Sequence, residues 1–251
     1  MRRRCGWEAR NQVPSAATFS RACAEFAQSG VLDQTHAALV TAHLQDVLIG
    51  HVSRDSTAIK AREHVERVPP PPPAPPKPRG RPKKDAPPRE PAITRLQRQL
   101  VTPVAQTEDL FAALPAGCGR GHKRNAQGLL ERWRGYKLHV DIGDDGIPLS
   151  CFTTSAAVHD SQVAIPLARR TAARVTSLYD LMDAAYDAEE IRETCRQLGH
   201  VPLIDDNPGR NGKEAKRPLE PDRAARFRHR TGVERFSPAS RVLLVATARR
   251  R

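Results

Sequence analysis

The run PPPPPAPPKPRGRPKKDAPP at positions 69–88 divides this chain of 251 residues. Proline fixes φ and removes the backbone donor, so neither a helix nor a sheet ladder continues through such a stretch; it is stiff and extended. The change in composition spans residues 64 to about 92. Segments before and after it can share one core only if the run loops out between them. The length allows one sizeable core plus a smaller domain.

Ahead of the run, residues 15–29 predict a helix capped by Ser15, with Phe19, Ala22, Cys23 and Phe26 at helical spacing before Gly30. A second helix is expected over 33–49, with Asp33 as its cap. His51 to Ile59 reads as extended, and Asp55 stands just past the apolar VLIGHV. Behind the run, Ile93, Leu96, Leu100 and Val104 predict helix within 93–114, and the glycine-rich residues 115–130 predict loop.

Residues 132–206 carry the strongest globular pattern. RGYKLHVDI and IPLSCFTT are strand-like and are separated by the hairpin pair Asp145-Gly146. HDSQVAIPLARRTAA predicts a helix capped by Asp160 or Ser161 and interrupted or bent near Pro166. SLYDLMD, AEEIRETCRQLG and HVPLID follow as strand, helix and strand, and residues 222–235 as a basic helix. This is an α/β order.

The chain has 41 Lys+Arg against 28 Asp+Glu, a formal charge of +13, and a sequence pI near 10.2. That excess favours a polyanionic partner. No apolar stretch reaches the roughly 20 residues that span a bilayer, and no apolar segment follows the basic start. Double-stranded DNA or RNA is the expected partner and the cytoplasm the expected location. The five dispersed cysteines form no CxxC pair and predict reduced thiols. His51, His139 and His159 have no metal-ligand spacing.

Three carboxylates stand out. Asp183 lies where a strand gives way to a helix, the edge at which open α/β sheets bind ligands. Singly, Asp55 reads as a turn or cap residue, Asp183 as a helix cap, and Glu234 as an ion-pair partner among Arg226, Arg228, Arg230 and Arg235. Jointly, two carboxylates from strand ends and one from a late helix suit two Mg²⁺ (or Mn²⁺) ions beside a nucleic-acid backbone.

The segments PSAATFSRACAEFA, GHVSRDSTAI, KRNAQG, WRGYKLHVD, IPLSCFTTSAAVHDS, LMDAAYDAEEI, GHVPLID and RHRTGVER occur in order between residues 7 and 236. Together they resemble DDE transposases of bacterial insertion sequences, in the group with a Tyr-x-x-Arg-x-x-x-Glu-x-x-x-x-x-x-Lys signature. The resemblance implies a ribonuclease-H-like mixed sheet with flanking helices that gathers an acidic triad. On that pattern Asp55, Asp183 and Glu234 match the catalytic, metal-binding acids, and Arg230 the signature Arg. Phe227 stands where the signature has Tyr, keeping the ring without the hydroxyl. The implied activity is phosphodiester hydrolysis at element ends followed by strand transfer into target DNA. The implied assembly is a homo-oligomer pairing two ends, associated with the nucleoid.

The expected organisation is a helical region over 1–50, the first core strand over 51–63, a proline-rich basic linker and loop insertion over 64–131, the rest of the core over 132–236, and an atypical tail over 237–251. Within the linker, KPRGRPKK resembles an AT-hook: Arg79 and Arg81 flank Gly80, whose missing Cβ lets the backbone enter a narrow minor groove, and Lys83 and Lys84 add charge. A solvated basic linker is the plainer reading. Trp133 and Tyr136 read as packing residues, with a DNA-facing Trp133 as the alternative. After Phe236 the resemblance stops and Pro238 enters what should be helix, which predicts a reading-frame change and early stop. Three readings follow: an active transposase, an inactive remnant that only binds DNA, and a ribonuclease-H-like nuclease without a transposition role.

Overall fold

A computed structural model describes residues 13–66, 92–124, 127–207 and 219–230. The AT-hook-like residues Arg79, Gly80, Arg81, Lys83 and Lys84, the acid Glu234 and the tail 237–251 lie outside the described residues.

Strand β1 (Leu48–Lys60) is the axis of a six-stranded mixed sheet. Its first half pairs in parallel with β5 (Thr176–Met182), from Leu48↔Thr176 to Ser53↔Leu181. Its second half pairs antiparallel with β3 (Leu130–Ile142), from Ser53↔Ile142 to Lys60↔Gly135. β6 (Val201–Ile204) adds in parallel to β5. β4 (Pro148–Ser155) pairs with the later part of β3, and β2 (Gly119–Arg124) with its beginning. The antiparallel strands β1, β3 and β4, with β2 added at the beginning of β3 and β5 and β6 running parallel to β1, make a helix-flanked mixed sheet consistent with a ribonuclease-H-like fold.

The amino-terminal helices are α1 (Ala16–Ser29) and α2 (Val31–Leu44). Ser15 caps α1 by accepting from the Thr18 amide, and Gly30 (φ 68°) makes the left-handed turn into α2. The second helix ends five residues before the expected limit, and Asp33 sits in its first turn. Leu48 and Ile49 leave the helical pattern because β5 offers them a parallel ladder. Beyond the linker, α3 (Arg95–Val101) opens with a capping box between Thr94 and Gln97, and α4 (Thr107–Ala112) follows.

Residues 119–124 form a strand where loop was expected. The glycines there reflect close approach: a Cβ on Gly119 would meet Ser155 Oγ at 2.1 Å, and one on Gly121 the Trp133 ring at 2.3 Å. In α5 (Ser161–Ala172) the helix continues through Pro166. Pro166 has no N–H for the Gln162 carbonyl, and buried Gln99 of α3 donates to that carbonyl through Nε2 at 2.8 Å. α6 (Glu189–Gln197) ends at Gly199 (φ 81°).

Under α5 and α6, Ile165, Met182, Tyr186, Ile191, Cys195 and Ile204 pack as one buried cluster, edged by Leu96 and Leu100 of α3. Val40 of α2 joins Ile49, Val52, Leu149 and Val175 at the opposite end of β1. The sheet is thereby packed at the carboxyl ends of β5 and β6 and at the beginning of the strand that carries Asp55.

Candidate active site

Asp55 and Asp183 are brought together by register. Since Ser53 of β1 lies opposite Leu181 of β5, two further residues along each strand bring Asp55 level with Asp183, at the carboxyl end of the parallel pair. Asp183 begins a short 3₁₀ turn (Ala184–Tyr186) and accepts from the Ala185 amide at 2.9 Å. Asp55 Oδ1 accepts from the Ser56 amide at 2.8 Å. The 3₁₀ turn Arg228–Arg230, after α7 (Pro221–Phe227), brings in Arg230, whose Nη2 lies 3.6 Å from Asp183 Oδ2 and 3.9 Å from Asp55 Oδ1. Phe227, half-buried, ends α7 one turn earlier.

The carboxylates remain 38% (Asp183) and 29% (Asp55) exposed, so their oxygens are open to an incoming group. Burial pushes the Asp55 carboxyl up to about 6; the nearby Asp183 and Asp160 charges add to the rise, while the Ser56 amide and Arg230 oppose it. Asp160, in the His-Asp-Ser segment before α5, receives Lys137 Nζ at 2.9 Å. Burial works against its charge, but His139 and Lys137 hold its carboxyl below the usual range. His139 is fully buried and pushed down to about 4 by burial, so it is neutral at pH 7 and holds Thr154 through Nε2 at 2.9 Å.

A buried polar network underlies β1, and nothing in the sequence pattern singled it out. Arg54 projects to the face opposite Asp55 and makes two hydrogen bonds to Asp141, Nε to Oδ1 at 2.8 Å and Nη2 to Oδ2 at 2.7 Å. Thr171 of α5 donates to Asp141 Oδ2 at 2.6 Å. Burial disfavours the Arg54 charge, yet Asp141 and Asp180 hold it more firmly protonated than usual. Asp180 accepts from or pairs with His200 Nδ1 at 3.1 Å. The signal that could have found this network is Arg54 and Asp141, opposite charges in the two longest strand-like segments of the chain.

The turn bearing Arg230 is pinned to the sheet. His229 stacks on His51 with ring centroids 4.5 Å apart and 5° between planes, and the Arg226 guanidinium lies 4.6 Å over the Tyr179 ring. Asp144 of the β3–β4 hairpin fixes His51 by accepting from both its amide and its Nδ1 at 3.0 and 2.9 Å. His51, Asp144 and His229 each offer a ligand atom within 4.8 Å of the others. This grouping was not visible in sequence, because its members come from three distant segments. Its nitrogen-rich donor set suits a transition metal rather than Mg²⁺.

The Asp55–Asp183 pair is the better match for a hard divalent ion. Two carboxylates converge on one cationic nitrogen and keep oxygens open to solvent, which is the donor chemistry of Mg²⁺ or Mn²⁺. No helix among the described residues is long and apolar enough to cross a membrane.

A family model described as the transposase DDE domain matches residues 51–240, which is most of the chain. No curated protein and no solved structure matches it. The matched span begins within β1, four residues before Asp55, and takes in the whole of the sheet from there on together with Asp183 and Arg230. The chain belongs to the transposase DDE domain family.

Proposed function

We propose that this protein is an insertion-sequence transposase of the Tyr-Arg-Glu-Lys signature group, which cuts and joins DNA at a centre built on Asp55, Asp183 and Glu234. The observation that carries this reading is the convergence of Asp55 and Asp183, from neighbouring parallel strands, on the single guanidinium of Arg230.

In this mechanism Asp55, Asp183 and Glu234 would hold two Mg²⁺ or Mn²⁺ ions, which would supply Lewis-acid activation of the attacking oxygen and charge stabilisation of the leaving one. Water attacks the phosphorus at the element end, the P–O3′ bond breaks, the 3′ oxygen takes a proton, and a 5′-phosphate remains. The freed 3′-hydroxyl then attacks a target phosphodiester, displacing a new 3′-hydroxyl, so no covalent protein–DNA bond forms. Arg230 balances the paired carboxylates and orients them. Phe227 supplies the packing ring of the signature. The protein acts on double-stranded DNA as a homo-oligomer associated with the nucleoid, and the segment Arg79-Gly80-Arg81 with Lys83 and Lys84 contributes minor-groove binding.

Asp183→Ala tests the reading. The variant is expected to lose Mg²⁺-dependent cleavage of end-containing duplex while binding that duplex as the parent does. Undiminished cleavage by the variant overturns it; a parent that binds ends but never cuts them supports the inactive remnant instead.

A further inference from the structure

The β2–β3 hairpin sets two arginines directly opposite one another. In its register Arg120 faces Arg134, with His122, Arg132 and Arg124 next on the same face. All five are exposed. Like charges directly opposite across a ladder destabilise it. The acidic residue of the hairpin, Glu131, pairs across to Lys123 and so lies on the other face, at 4.0 Å from its Nζ.

That other face explains why the hairpin persists despite the repulsion. Trp133 is buried over Gly121, where no Cβ could fit, and donates from Nε1 to the Tyr136 carbonyl at 3.3 Å. The ring is a packing residue that locks one face and leaves the other as a ridge of arginines. A surface whose cations repel each other in the free protein is relieved by a polyanion.

Position favours one polyanion. Arg134 lies six residues along β3 from Val140, the residue opposite Asp55. At about 3.3 Å per residue this is about 20 Å, the axial length of roughly six base pairs. We propose that the outward face of the β2–β3 hairpin binds the phosphate backbone of duplex DNA about six base pairs from the cleaved end. The inference rests on the transposase reading for the placement of that end, but the contact itself needs no catalysis.

The test uses the full chain carrying Arg120→Gln, Arg132→Gln and Arg134→Gln, with binding to labelled 40-base-pair duplexes followed by fluorescence anisotropy in EDTA across a salt series. Removing three phosphate contacts is expected to weaken binding alike for different sequences and to flatten the log–log salt slope by about 2.7. The thermal midpoint should hold or rise, because opposed charges have been removed. An unchanged slope and affinity overturns the proposal, as does a loss of binding that only accompanies a fall in the thermal midpoint. Weakened binding to duplex RNA with duplex DNA unaffected also overturns it. Since EDTA excludes cleavage, this binding result is independent of the catalytic reading, which Asp183→Ala tests separately by cleavage with Mg²⁺.

Discussion

Arg54 and Asp141 form a fully buried pair joined by two hydrogen bonds, directly opposite each other in the β1–β3 ladder and one residue from Asp55. The strand that presents Asp55 to solvent on one face is thus anchored by a charge pair on the other. Removing one partner leaves an unpaired charge in the core, which costs about 3–5 kcal/mol. Asp141→Asn and Arg54→Met should each show that loss in urea unfolding. Combining Arg54→Met with Asp141→Leu should recover most of it, since neither charge is then stranded.

The raised Asp55 carboxyl makes the site a source of instability in the ion-free protein. A carboxyl at about 6 when folded and near the ordinary 3.8 when unfolded disfavours the folded state above pH 6 and is neutral in effect below about 3.8. Asp55→Asn should therefore stabilise the ion-free protein by roughly 1–3 kcal/mol at pH 7.5, and the gain should vanish by pH 4. Thermal midpoints in EDTA at the two pH values measure it. A destabilised variant at pH 7.5 contradicts the electrostatic picture.

Pro166 and Gln99 are coupled through one carbonyl. Gln99→Leu should cost about 1–2 kcal/mol because the Gln162 carbonyl is left buried and unpaired. In a Pro166→Ala background, where residue 166 regains its N–H, the same substitution should cost less. A double-mutant cycle of unfolding free energies gives the coupling, and an additive result removes it.

His229 holds the turn that delivers Arg230 through its stack on His51. His229→Ala should lower end cleavage about tenfold while the thermal midpoint stays within a few degrees, because the sheet core does not depend on it. A variant with full cleavage shows that Arg230 is placed by other contacts.

Much of this architecture was legible in the residues themselves. Ser15, Gly30, Gly146 and Gly199 mark the turns and caps that the structure uses, and the alternation in RGYKLHVDI and IPLSCFTT gives the hairpin. What failed to show was non-local. Glycines 119 and 121 read as loop because their reason is Ser155 and Trp133, distant in sequence. Pro166 read as an interruption or bend because the donor that satisfies the Gln162 carbonyl, Gln99, lies on another helix. Leu48 and Ile49 fit helical spacing but are taken by a parallel ladder. The nearness of Asp55 and Asp183 follows from that same ladder, and the family resemblance, not spacing, named them in advance. The His51–Asp144–His229 grouping and the Arg54 network join residues from distant segments, and no local pattern marks either.

The most direct test of the central claim is single-turnover cleavage of an end-containing duplex with Mg²⁺ by Asp55→Asn, Asp183→Asn and the double variant. If the two carboxylates act as one centre, each single substitution removes as much rate as both together. Rate losses that add independently, or cleavage that survives the double substitution, contradict a shared catalytic centre where the parallel pairing of β1 and β5 ends.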